Sequence, residues 1–261
     1  MTILEHFEEL RKRLLIAFAA WVVASGAAFV FRFEVLEWLR APLPENMTLS
    51  FFAVLEPFTV SMQIASFFGL VLASTVILGQ VWGFVAPGLY PQERRYAVPF
   101  ILFAALAFAA GVLFAYYVVL PFTIPILLSF LGGEAQGLLS IGRYISTLLM
   151  LMAMFGVMFE MPVLGFLFAR IGLLRSEPLV RNRRWAIVGG LVAAALITPT
   201  GDPFNLALVA VPLLVLFELT VVVVRLSPVS PLVAVTVAPS VQVSASGSYT
   251  APAIHFLGRL K

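Results

Sequence analysis

Six apolar stretches, residues 14–31, 58–82, 97–120, 144–169, 185–200 and 204–224, decide what this chain can become. Each is bounded by charge, proline or glycine, and each is long and apolar enough to be read as a helix crossing a hydrocarbon core of about 30 Å. The fifth, WAIVGGLVAAALITPT, is short. It rises only about 24 Å, so local bilayer thinning or partner helices must cover the difference. Composition agrees with a lipid solvent: 62% of the residues are hydrophobic and 11% charged, too few polar side chains to clothe a water-soluble domain of this length. The expected fold is an all-α integral membrane protein with six transmembrane helices.

An even number of spans puts both termini on one side, and Lys and Arg choose which. Arg11, Lys12, Arg13, Arg94, Arg95, Arg170, Arg175, Arg181, Arg183 and Arg184 lie at or before span 1, between spans 2 and 3, or between spans 4 and 5. The opposite loops hold only Arg32, Arg40 and Arg143. The excess of positive charge places the N-terminus and the C-terminus in the cytoplasm.

Several chemistries are excluded by residue type alone. The chain has no Cys, which removes disulfides, thiolate catalysis and cysteine metal sites. Its two His, His6 and His255, lie near the ends, so no histidine centre can form within the membrane. The single Asp, Asp202, falls between spans 5 and 6, which leaves no pair of intramembrane aspartates for hydrolysis. Nucleotide-binding and HExxH motifs are missing too. The expectation is a protein that is not an enzyme, without cofactor, metal or nucleic acid.

Outside the spans, residues 1–13 read as an amphipathic cytoplasmic helix, with Leu4, Phe7, Leu10 and Leu14 on one face and Glu5, Glu8, Glu9 and Lys12 on the other. The stretch from Arg32 to Phe58 is broken by Pro42 and Pro44 and made apolar by Phe51, Phe52 and Phe58, as a cap over a bundle would be. Residues 227–261 are rich in Pro, Ser and Val and read as a cytoplasmic tail of low order. The membrane domain is residues 1–226.

One ionisable residue sits deep in an apolar run. In MFGVMFEMPVLGF (154–166), Glu160 lies ten residues before Arg170, or about 15 Å along an ideal helix. A charge at that depth costs about 2.5–3.5 kcal/mol, which favours the neutral carboxyl. Pro162 cannot donate to the Met158 carbonyl, so the helix should bend there. The bend and the carboxyl together form a polar notch in an apolar wall; a structural carboxyl bonded to a neighbouring helix is an equal alternative. Glu218, nearer a helix end, reads as structural.

Four ordered segments carry a family resemblance: HFEELRKRLL (6–15), QVWGFVAPGLYPQERR (80–95), FGVMFEMPV (155–163) and ITPTGDPFNLALVAVPLLVLFE (197–218). Over residues 1–226 the chain resembles the TatC family, receptor subunits of the twin-arginine (Tat) protein translocase. The resemblance implies a concave bundle with short helices 5 and 6, located in the bacterial cytoplasmic (inner) membrane as a multi-pass protein. It implies recognition of folded cargo through a twin-arginine signal peptide, assembly with single-span TatA- and TatB-type subunits, and transport driven by the proton gradient. Self-association is a further option.

Residue by residue, the resemblance implies that Glu9 and Glu93 form the arginine-binding patch. Phe84 would pack against the peptide, and Arg11, Arg94 and Arg95 would hold the acids. A carboxylate suits this task because it accepts the planar guanidinium fork through two bonds, which lysine cannot reproduce. Glu160 and Pro162 would face a lipid-accessible groove. Pro42, Glu56, Pro57 and Phe58 would shape the cap on the far side, and Asp202 and Asn205 would fall in the partner-docking region. Where the family often has a glutamine, this chain has Leu206, with Asn205 one position earlier; that shift turns a helix face by about 100°. Two other classes of function stay open on the residues alone: a proton-coupled secondary transporter using Glu160, and a scaffold that binds partner helices only.

Overall fold

The computed structural model describes residues 3–43, 47–85, 97–129, 138–170, 172–197 and 203–227. Helix α1 (Ile3–Val30) leads into the short α2 (Arg32–Arg40), strand β1 (Thr48–Ser50) and the long α3 (Glu56–Val85). Next come α4 (Ala97–Phe114), a π-helical turn (Ala115–Val119), α5 (Leu120–Ser129), strand β2 (Leu138–Ser140) and α6 (Ile141–Phe159). The chain ends in α7 (Met161–Arg170), α8 (Ser176–Arg181), α9 (Arg183–Ile197) and α10 (Pro203–Leu226).

Helices dominate because an apolar solvent leaves backbone groups no partner but one another. Among the described residues, five helical runs are long and apolar enough to cross a membrane: Leu4–Val30, Glu56–Phe84, Ala97–Ile126, Ile141–Arg170 and Leu206–Leu226. The fifth expected span, 185–200, corresponds to α9, whose 15 residues rise about 22 Å. It falls short of that group, as its length in sequence foretold. The amphipathic N-terminal stretch is not set off from the first span: α1 runs unbroken from Ile3. Its apolar positions Leu4, Phe7, Leu14 and Val23 remain exposed, as a lipid-facing surface requires.

α1 packs along α3, and α3 in turn packs on α4 and α6. α4 lies against α6, while α10 joins α7 and α9. The centre of this packing is the buried stripe of α6, including Ile145, Leu148, Met152 and Phe155. Phe155 is fully buried and meets Phe114 at 5.6 Å between ring centres.

At the far end from Ile3 along α1, side chains tie the connecting segments down. Tyr116 Oη donates to the Trp38 carbonyl at 2.6 Å and Tyr144 Oη donates to the Leu39 carbonyl at 2.9 Å. Trp38 also stacks on Tyr116 at 3.7 Å. The Tyr144 hydroxyl gives the Leu39 carbonyl the donor that the ended helix no longer supplies, while the Trp38 carbonyl accepts the Ala41 N–H as well. The strands β1 and β2 pair in parallel, with Thr48 opposite Leu138 and Ser50 opposite Ser140.

Candidate functional site

Three polar clusters stand out among the described residues. The first lies where the N-terminal turns of α1 meet the last turns of α3. Glu9 and Arg13, one helical turn apart, form an ion pair: Arg13 Nε and Nη2 both donate to Glu9 Oε1, at 3.1 and 2.6 Å. The other carboxylate oxygen, Oε2, is buried with no hydrogen-bond partner among the described residues. Gly83 of α3 makes room for this arrangement, since a Cβ there would overlap the Arg13 guanidinium. One position on, Phe84 stacks on His6 with ring centres 4.4 Å apart. An open cavity of about 430 Å³ is lined by Glu5, Glu8, Glu9, Lys12, Arg13 and Gln80.

Of the residues expected to recognise a guanidinium, Glu9 and Phe84 therefore sit at the same α1–α3 end. Arg11 is exposed, and the arginine that engages Glu9 is Arg13. The reason is helical geometry: positions four apart share a face, positions two apart do not. That spacing was visible in the sequence and would have singled out Arg13. Nothing in the sequence pointed to Gly83 or to the His6–Phe84 stack, which depend on how two helices meet. Glu93, Arg94 and Arg95 lie outside the described residues.

The second cluster is the break at Glu160. The expected single bent span divides here into α6 and α7. Glu160 N–H donates to the Val157 carbonyl at 3.1 Å rather than four residues back, and the ladder resumes with Leu164 N–H on the Glu160 carbonyl at 2.8 Å. Pro162 accounts for the break, because it supplies no N–H for Met158 and its ring crowds that turn. Glu160 is only 8% exposed, so its carboxyl lies in packed protein rather than on an open groove wall. Both carboxyl oxygens lack a hydrogen-bond partner among the described residues. Pro162 is buried and lines an apolar pocket of about 320 Å³ with Pro99, Phe100, Phe103, Phe166 and Val223. Glu218, in contrast, is ion-paired with Arg183, in keeping with a structural role.

The third cluster centres on Glu56. Its Oε2 accepts from the backbone N–H groups of Phe52 and Ala53, at 2.6 and 3.2 Å. Its Oε1 accepts from Ser140 Oγ at 2.5 Å and from Gly142 N–H at 2.7 Å. One carboxylate thus caps α3 and clips the start of α6 to it. Pro57 and Phe58 follow as exposed residues of the first turn of α3, and Pro42 is partly buried just past the end of α2. Asp202 lies outside the described residues, and Asn205 is in the first turn of α10.

Comparison with known proteins shows which family the chain is similar to. The model of the family described as "Sec-independent protein translocase protein (TatC)" matches residues 5–212. A protein of that description from Deinococcus radiodurans is 41% identical over 228 residues, covering 85% of this chain and 84% of its own. One from Aquifex aeolicus is 37% identical over 232 residues, covering 87% and 96%. A crystal structure titled as the twin arginine translocase receptor TatC superposes with a TM-score of 0.75 at 37% identity, covering 85% of this chain and 99% of that one.

Proposed function

The chain belongs to the TatC family, a component of the Sec-independent protein translocase and not an enzyme, and we propose that it is the receptor that binds twin-arginine signal peptides of folded precursors. In this reading the five long helices and the short α9 make six spans, with both termini cytoplasmic in the bacterial inner membrane. TatA- and TatB-type single-span subunits then assemble on it, near the Asp202 turn and Asn205, and the proton gradient drives transport.

The observation that carries the proposal is the Glu9 carboxylate, held by Arg13 at the edge of an open polar cavity that Gln80 also lines, at the same helix end as the His6–Phe84 stack. A partly buried carboxylate is suited to a guanidinium, because each charge-assisted bond contributes about 1.5–3 kcal/mol where water is held off. Glu93 supplies the second acid, with Arg94 and Arg95 beside it. Arg11 offers a cation on the exposed face of α1. Glu160 and Pro162 mark a polar break within the membrane, enclosed in packed protein beside the pocket that Pro162 lines. Pro42, Glu56, Pro57 and Phe58 hold the opposite end rigid.

Binding of a fluorescent twin-arginine peptide to the full chain in lipid nanodiscs tests the reading. Glu9→Gln and Glu93→Gln should each weaken binding at least tenfold, and the double variant should abolish it. A twin-lysine peptide should bind the unmodified protein more weakly. Unchanged binding in the double variant overturns the proposal.

A further inference from the structure

The guanidinium site proposed above is already filled by the protein itself. Arg13 places its guanidinium on Glu9 Oε1 through two donors, against the bare backbone of Gly83, at the edge of the polar cavity. Both members are partly shielded, with side-chain exposures of 27% and 21%. A methyl group at Gly83 would occupy the guanidinium's own volume. The slot is thus shaped for a flat cation, yet only half of the Glu9 carboxylate is used, because Oε2 is buried without a partner among the described residues.

We propose that Arg13 is an internal competitor: it occupies the guanidinium slot on Glu9 in the cargo-free receptor, and an arginine of the incoming peptide must displace it. The proposal rests on the reading of Glu9 as a peptide-binding acid. An arriving guanidinium replaces one of the same charge and shape, so Glu9 is never left buried and uncompensated during the exchange. Released Arg13 swings into the open polar cavity that it already lines.

The consequence is a threshold on affinity. When the competent state is a fraction of the population, apparent affinity falls by that fraction for every ligand alike. Arg13 therefore lowers the affinity for arginine and lysine peptides by the same factor and leaves their ratio unchanged. A weakly binding lysine peptide is pushed below useful occupancy, while an arginine peptide is not.

Titration of the full-length protein in nanodiscs with labelled twin-arginine and twin-lysine peptides decides this. Arg13→Gln should tighten both about three- to tenfold, with the ratio between them preserved. Arg13→Lys, which keeps the charge and loses the fork, should fall between Arg13→Gln and the original and serves as the informative variant if Arg13→Gln does not fold. Unchanged or weaker binding in the folded Arg13 variants overturns the competitor role, as does a changed arginine-to-lysine ratio. Glu9→Gln separates the two levels: if it leaves peptide binding intact, the peptide site itself is wrong, whereas if it abolishes binding and Arg13→Gln weakens it, only the competitor role fails.

Discussion

Glu56 and Ser140 lie far apart in the chain and share a 2.5 Å hydrogen bond, in which the serine hydroxyl donates to the carboxylate. The same serine caps α6, accepting the Arg143 N–H at 3.2 Å. Two helix starts from opposite halves of the chain are therefore fastened through one pair of side chains. This junction also carries the short β1–β2 pairing.

Replacing Glu56 by Ala should release both helix starts together and lower the melting temperature. Glu56→Gln should fall between, because its amide keeps an accepting oxygen but turns a donor toward N–H groups. Amide hydrogen exchange should rise at Phe52, Ala53 and Gly142 in parallel. Exchange rising at only one of the two segments would show that the carboxylate does not couple them.

Gly142→Ala should behave like the loss of Glu56, since the added Cβ would lie 2.8 Å from Glu56 Oε1 and push the carboxylate off its donors. In a double-mutant cycle, Gly142→Ala should add little to Glu56→Ala, as expected for residues that share one interaction. Full additivity would argue against the shared contact.

Tyr144→Phe removes one oxygen and leaves the Leu39 carbonyl without its donor in a buried setting. A loss of about 1–2 kcal/mol in unfolding free energy is expected, measured by denaturant titration in detergent. Phe155→Ala, in contrast, empties the centre of the α4–α6 packing and should cost about 3–5 kcal/mol.

Glu160 separates stability from transport. Both of its oxygens are buried without partners among the described residues, so Glu160→Leu removes a desolvation penalty and should stabilise the protein by about 1–3 kcal/mol. Export of a reporter protein should nevertheless fall in Glu160→Leu and be retained better in Glu160→Gln, which keeps the hydrogen-bonding capacity. Equal export by both variants would reduce Glu160 to a packing residue.

Much of the fold could be read along the chain. A helix in lipid satisfies its own backbone within four residues, so length and apolarity mark α1, α3, α4, α6 and α10 without reference to their neighbours. The shortness of α9 and the proline at the α6–α7 break were equally local, because a rise per residue and a missing N–H belong to single segments. At the candidate site, Glu9 and Phe84 came from family-like motifs. Their neighbour Arg13 follows from four-residue spacing, and it is the arginine that pairs with Glu9.

Composition, periodicity and charge placement by themselves determined that this chain lives in a bilayer as helices and that a carboxyl lies deep in one of them, since these follow from contacts within a few residues and from the solvent. Tertiary structure alone decided that Glu160 is enclosed, that Gly83 leaves space for Arg13, and that Glu56 joins α3 to α6. Those outcomes depend on which helix faces meet, and close packing between distant segments is a property of the assembled molecule that no local pattern encodes.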